Sequence, residues 1–309
     1  MKFSVSKAFG EINKGGFFVV CYMYKTQKRI PAYTKIGIIR GVFFHIIDKE
    51  KNQEKIDKIY KLVLIRHGQS SFNQENLFTG WTDVDLTDIG VEEAKLAGKI
   101  LKENSFRFDK CYTSSLKRSI KTSFIILDKL DQLYIPIIKD FHLNERHYGA
   151  IQGLNKRETS LKYGKKLVYE WRRSYSTPPP KLSENDERNP ANIEQYKNIN
   201  KTELPLTESL EDTVKRVLPY FYREIIPEIK KGKKILVVAH GNSIRGLIKY
   251  FDNLSDEEIV NVDIPNAVPL VYEFNENFEI IKRYYLGDEK EINEKIKKIK
   301  RLEKQVDNN

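Results

Sequence analysis

Two short apolar runs constrain this chain more than anything else in it: Lys61-Leu62-Val63-Leu64-Ile65 and Lys234-Ile235-Leu236-Val237-Val238-Ala239. Each reads as a buried strand. The first opens into Arg66-His67-Gly68, the second into His240-Gly241-Asn242. Between and around them, helical and strand patterns alternate. Helical stretches are expected over about 91–103, 116–130 and 243–251. A mostly helical stretch covers 210–230, with Pro219 and Pro227 bending or ending it. Further strands are expected at 109–113 and 135–139, and a closing hairpin at 270–274 and 279–284. This alternation predicts an α/β fold, a three-layer sandwich with a mostly parallel central sheet flanked by helices. Ligands of such sheets bind beyond the carboxyl ends of the strands. Both His-Gly pairs stand there.

The chain divides at about Lys61. Residues 1–60 hold twelve Lys/Arg and five Asp/Glu, which accounts for +7 of the net +11. They also hold the run Phe17-Phe18-Val19-Val20-Cys21-Tyr22-Met23-Tyr24. Three readings stand for this basic extension: a targeting segment, a loosely packed or disordered arm, or an overlong gene model. The run lacks a clear small-residue cleavage site, and the two plainer readings are preferred. Residues 61–287 then form the catalytic domain, and the Lys/Glu-rich 288–309 a solvated tail or helix. Within the domain, polar 155–207 reads as a cap over the sheet, not as core.

Composition excludes several classes. No apolar run approaches the ~18 residues of a membrane span. Two cysteines, Cys21 and Cys111, make neither a disulfide scaffold nor a four-cysteine zinc site. No Asp/Glu/His/Cys spacing suggests a metal site. The basic balance lacks any nucleic-acid motif, so no nucleic-acid or membrane partner is expected and a cytoplasmic location is, with organelle targeting by residues 1–60 as the alternative.

The chemistry follows from residue types. A neutral imidazole can accept a phosphoryl group and release it. The adjacent Arg66 offers fixed charge and donors matched to phosphate oxygens. A second histidine, His240, can stabilise charge on the group in transfer. One His-Gly pair would be read as structural; two at strand ends favour chemistry. Arg118, Lys156, Arg172 and Arg173 are each, taken alone, ordinary solvated cations, but together they fit a small anionic substrate. Glu145, a carboxylate among cations in Leu143-Asn144-Glu145-Arg146-His147-Tyr148-Gly149, is the candidate general acid/base. His142 and His45 are read as incidental.

Leu64 to Gly68 with Ala239 to Asn242 resembles the histidine phosphatase superfamily. Further strings narrow the resemblance: Phe78-Thr79-Gly80-Trp81, Leu143 to Gly149, Gly153-Leu154-Asn155-Lys156, Trp171 to Tyr175, Pro265 and Val268 to Tyr272. Over roughly 61–287 the chain is similar to the cofactor-dependent phosphoglycerate mutases. The resemblance implies a glycolytic and gluconeogenic exchange of 3- and 2-phosphoglycerate through a phosphohistidine primed by 2,3-bisphosphoglycerate, with no metal, in a homo-oligomer. It implies His67 as nucleophile, His240 as stabiliser of the phosphoryl group and Glu145 as proton donor and acceptor. Arg66, Asn73, Arg118, Gly241 and Asn242 would hold the phosphoryl group. Ser70, Thr79, Gly80, Tyr148, Lys156, Arg172 and Arg173 would hold the carboxylate and second phosphate, with Arg146 and His147 of lesser weight.

The sequence departs from the pattern at Gln69, where mutases usually carry glutamate, at Asn266-Ala267 in place of Thr-Gly, at 189–194, and in the extension. Gln69 keeps a bisphosphoglycerate mutase or phosphatase as the alternative; Ser70 argues against the former. A non-catalytic binding protein would have lost the nucleophile, the acid or a phosphate arginine, and none is lost.

Overall fold

A computed structural model describes residues 35–39, 42–46 and 59–308, with side chains over 59–301. Contacts divide the chain into Met1–Asp57 and Lys58–Asn309. In the first unit, β1 (Lys35–Ile39) pairs antiparallel with β2 (Val42–Ile46). The aromatic run at 17–24, and with it the targeting reading, lies outside the described residues.

The second unit begins with β3 (Tyr60–Arg66), followed by a single turn, α1 (Ser71–Gln74), and then α2 (Asp88–Glu103). Thr87 caps α2 by accepting from the Gly90 N–H. Next come β4 (Lys110–Thr113), α3 (Lys117–Lys129) and β5 (Ile137–Lys139). Two helices follow in the polar region, α4 (Lys156–Tyr163) and α5 (Lys165–Arg173). The long helical stretch is divided: α6 (Leu210–Tyr220) passes through a π turn at Phe221–Ile225 into α7 (Ile226–Lys230), where Pro227 takes a first-turn position. The chain closes with β6 (Ile235–Ala239), α8 (Gly241–Phe251), α9 (Asp256–Val260), β7 (Leu270–Phe274), β8 (Ile280–Tyr285) and α10 (Glu289–Asn308).

The sheet order is β5-β4-β6-β3-β7-β8. The first four strands run parallel, and β7 and β8 add an antiparallel hairpin at one edge. Successive β3 side chains point to opposite faces. Leu62 and Leu64 join a core under α6, α7 and α8, while Val63 and Ile65 join one under α2 and α3. Burial on both faces is why residues 62–65 of β3 and the whole of β6 are apolar.

The region 155–207 is more than a polar cover. Val168 and Trp171 bury against Phe78 and Ile151, and Tyr196 and Leu204 bury against Trp81 and Phe141. These two satellite cores brace the loop that carries Glu145. Residues 289–308 are one helix whose Ile292 is 9% exposed. Its Lys295 reaches the Glu93 carboxylate at 3.2 Å and the Asn266 carbonyl at 3.4 Å.

Candidate active site

Register brings the two histidines together. In the parallel β3–β6 ladder Arg66 stands opposite Ala239. The His67 N–H donates to the Ala239 carbonyl at 3.0 Å, and the His67 and His240 ring centroids lie 5.0 Å apart. Gly68 is required here by close approach, since a Cβ on it would sit 2.2 Å from the Gly90 carbonyl oxygen.

His67 is 2% exposed. Its Nδ1 lies 2.7 Å from the Gly68 carbonyl oxygen. A carbonyl only accepts, so Nδ1 carries the proton and Nε2 bears the lone pair. Arg118 Nε donates to that Nε2 at 3.3 Å. Burial, then Arg118 and Arg66, hold the ring well below the ordinary histidine range, and it is neutral. His240 is likewise held low, first by burial and then by Arg118 and His67. Its Nε2 lies 2.7 Å from Ser114 Oγ.

Arg118 is fully buried and donates from Nη1 to the Thr82 carbonyl at 3.0 Å and from Nη2 to the Gly80 carbonyl at 2.8 Å. Gly80 takes φ +53, and a Cβ there would strike Gln152 Oε1 at 2.0 Å. Gln152 in turn accepts from the Trp81 N–H at 2.7 Å. The Thr79-Gly80-Trp81 turn and the buried arginine thus shape one another.

Above this pair lies a cavity of about 140 Å³. Arg66, Asn73, Thr79, Gly80 and Glu145 reach its wall. Tyr148, Lys156, Arg172, Arg173, Gly241 and Asn242 line it as well. His67, Ser70, Arg118 and His240 lie beneath, off the wall. Ser70 is fully buried and caps α1, accepting from the Asn73 N–H at 3.3 Å while Asn73 Oδ1 accepts from the Ser70 N–H at 3.2 Å. It holds Asn73 in place.

Glu145 Oε1 accepts from the Arg146 N–H at 2.8 Å and from the Asn242 N–H at 3.1 Å. Tyr148 Oη accepts from Arg146 Nη2 at 2.9 Å and from Asn242 Nδ2 at 3.3 Å. Burial, the largest single influence, raises the Tyr148 phenol, but the charge of Arg146 together with the hydrogen bonds from Arg146 and Asn242 makes the net shift downward. His147 is not on the wall. Its Nδ1 accepts from the Gly149 N–H at 3.0 Å, and burial followed by Arg216 pushes it down to about 3. His142 is occupied with Asp140 at 2.7 Å.

Five cations line the cavity, Arg66, Lys156, Arg172, Arg173 and Arg245, against two carboxylates, Glu145 and Asp263. Burial pushes the Lys156 ammonium down to about 7, with Arg172, Arg66 and Arg173 adding to the shift. Arg66 Nη1 donates to the Ile264 carbonyl at 2.8 Å, while its buried Nε has no partner. Arg173 pairs with Asp263 at 3.0 Å, and the remaining excess of cations over carboxylates calls for a multiply charged anion. The sequence reading did not single out Arg245, Asp263 or Ile299 of α10, all of which reach the wall. Arg245 had a signal: it lies three residues past Asn242, on the same side of the same helix. Asp263 and Ile299 had none.

Gln69 turns away. Its Oε1 accepts from Thr87 Oγ1 at 2.9 Å, and its N–H donates to Glu93 Oε2 at 2.9 Å. Asn266 Nδ2 donates to the His67 carbonyl at 2.8 Å, and Ala267 N–H donates to the Arg66 carbonyl at 2.9 Å. Among the described residues no group of three or more His, Cys, Asp or Glu could hold a metal ion, and no helix is long and apolar enough to cross a membrane.

The profile of the histidine phosphatase superfamily (branch 1) matches residues 62–189 and 181–286. A 2,3-bisphosphoglycerate-dependent phosphoglycerate mutase of Treponema denticola is 58% identical over 236 residues, 76% of this chain and 96% of that protein. Among solved structures, a phosphoglycerate mutase from Bacillus anthracis superposes with a TM-score of 0.55 at 21% identity, covering 77% of this chain and 97% of its own. A mycobacterial glucosyl-3-phosphoglycerate phosphatase does so with a TM-score of 0.55 at 21% identity, covering 73% and 97%. These two likenesses bear on the fold.

Proposed function

Since the chain belongs to the histidine phosphatase superfamily and, within it, to the 2,3-bisphosphoglycerate-dependent phosphoglycerate mutases, we propose that it interconverts 3-phosphoglycerate and 2-phosphoglycerate with His67 carrying the phosphoryl group. The observation that carries this reading is the neutral His67 ring, Nδ1–H tied to Gly68 and the Nε2 lone pair facing Arg118 under a cavity of five cations.

The residues present fit the bisphosphate. The cation excess, the unpartnered Arg66 Nε and the depressed Lys156 are all relieved by a multiply charged anion. When bound, 2,3-bisphosphoglycerate supplies the phosphoryl group that primes the histidine. Arg66, Asn73 and the Gly241-Asn242 segment hold the phosphoryl end, and Arg118 shifts its Nε contact from the ring to an oxygen of that group. Thr79, Gly80, Tyr148, Lys156, Arg172 and Arg173 hold the carboxylate and the second phosphate. His240, neutral and fixed by Ser114, faces the group in transfer.

In transfer to the substrate hydroxyl, the Nε2–P bond breaks as the O–P bond forms, and the hydroxyl proton passes to Glu145. In the reverse direction Glu145 returns it to the departing oxygen. Two backbone N–H groups on Oε1 hold the carboxylate in place and leave Oε2 for that exchange. The phosphatase alternative rested on Gln69, whose side chain is engaged with Thr87 and does not reach the cavity.

Turnover of 3-phosphoglycerate, measured with and without 2,3-bisphosphoglycerate and in the presence of a chelator, tests the reading. Turnover that depends on the bisphosphate and survives the chelator is expected. Hydrolysis of the phosphoglycerates without isomerisation would replace this reading with the phosphatase one.

A further inference from the structure

Arg245 stands one turn into α8 and is 5% exposed. It lines the cavity beside Asn242, the residue next to the second His-Gly pair. Its Nη1 donates to Asn242 Oδ1 at 3.0 Å, and its Nη2 donates to the Ile259 carbonyl at 2.7 Å, which anchors the guanidinium to the end of α9. Its Nε is buried without a partner.

A guanidinium has donors only. An amide flanked by it must therefore present its oxygen to it. With Oδ1 held by Arg245, Nδ2 faces the other way, toward Tyr148 Oη at 3.3 Å. An Nδ2 group has two hydrogens, and the phenol takes one. The second is available to a ligand in the cavity. Were the amide reversed, its carbonyl oxygen would face the anion and repel it.

We propose that Arg245 is a positioning residue for anion binding: it locks the Asn242 amide so that the site presents N–H donors and no carbonyl oxygen to phosphate or carboxylate. The anionic class of ligand rests on the mutase reading, whereas the lock itself rests on the Arg245–Asn242 geometry alone. Burial, then Arg173 and Arg146, push the Arg245 guanidinium down to about 9.

The test is a double-mutant cycle on the full chain with Arg245→Met and Asn242→Ala, read as KM for 3-phosphoglycerate and, independently of turnover, as the Kd for inorganic phosphate by calorimetry. Arg245→Met alone should raise both constants about tenfold, the scale of one charge-assisted hydrogen bond, with kcat changed much less. In the Asn242→Ala background the same substitution should add less than twofold, because there is no amide left to orient. A full tenfold loss in that background overturns the proposal, since Arg245 would then act by charge or by packing. If the Met variant does not fold, Arg245→Lys replaces it in the cycle: Lys keeps the charge but gives up the fork that spans Asn242 and Ile259, and the same non-additivity is expected. Wild-type protein that binds phosphate but does not isomerise 3-phosphoglycerate would sink the mutase reading, and the phosphate arm would still decide the lock.

Discussion

Arg118 Nε donates to His67 Nε2 at 3.3 Å, joining two fully buried groups 51 residues apart in the chain. The same arginine spends its two remaining nitrogens on the carbonyls of Thr82 and Gly80. Its head is thus fixed at the nitrogen that carries the lone pair. On the proposed reading this contact passes from the ring to an oxygen of the phosphoryl group arriving at Nε2, so the donor is already close at hand.

Nitrogen identity is the first prediction. Labelling with the bisphosphate should yield an acid-labile, base-stable phosphohistidine at His67, with phosphorus on Nε2. Phosphorus NMR distinguishes the two ring isomers. A label on Nδ1, or undiminished labelling of His67→Ala, contradicts the assignment.

Glu145→Gln should lower turnover by about 10²-fold or more, the usual scale of general acid–base catalysis. An amide oxygen can still accept from the Arg146 and Asn242 N–H groups, so the thermal midpoint should hardly move. Labelling of His67 should suffer less than turnover. Near-normal turnover would remove Glu145 from proton transfer.

Lys156 should take up a proton when an anion binds. Burial and then the neighbouring arginines push its ammonium down to about 7, from the ordinary 10.5. At pH 8 it is mostly neutral, and a bound phosphate restores the charge, so close to one proton should be absorbed per site. At pH 6 it is already charged and uptake should fade. Calorimetry at pH 8 in buffers of different ionisation enthalpy measures this, and Lys156→Met should abolish it. The linked effect on stability has a definite sign. Between pH 7 and 10.5 the unfolded chain holds the proton that the folded one lacks. The cost of this group to folding is therefore full below pH 7 and disappears as pH rises through 10.5.

Arg216 props up the Glu145 turn. It donates to the carbonyls of Phe141 at 3.1 Å, His142 at 2.8 Å, Asn144 at 3.2 Å and Glu145 at 3.1 Å, and pairs with Glu208 at 2.6 Å. Its side chain is 8% exposed and that of Glu208 is 3% exposed. Arg216→Ala strands a buried carboxylate and several carbonyls, and should cost about 3–5 kcal/mol of stability in urea. Activity should fall as well, because the Glu145 backbone loses its support. A loss below about 1 kcal/mol, the scale of a surface ion pair, would show that the pair is effectively solvated.

A chain beginning at Lys58 should fold and keep most of its turnover. Every residue of the cavity lies within the unit Lys58–Asn309. Circular dichroism and the coupled mutase assay check both points. Loss of folding would make the first unit an integral part of the enzyme.

Much of this protein was legible in short windows of sequence. A continuous apolar run such as 61–65 or 234–239 reports burial on both faces of a strand, and a His-Gly pair after it reports a strand end where a ligand can sit. These are local signals, set by side-chain chemistry and period. The motifs around His67, Glu145 and His240 likewise carry the family resemblance without any coordinates. Only tertiary structure decided what depends on distant partners. The β3–β6 register put the two imidazoles 5.0 Å apart, and the Gly68 carbonyl and Arg118 together set which His67 nitrogen bears the lone pair. Ser70 proved to be a helix cap beneath the wall, Arg245 a neighbour of Asn242 with its head anchored at Ile259, and α10 a contributor of Ile299 to the cavity. The Ser70–Asn73 and Arg245–Asn242 pairs are three residues apart and local, but desolvation and contacts such as Arg118 to His67 depend on packed neighbours tens to hundreds of residues away, and no local pattern encodes them.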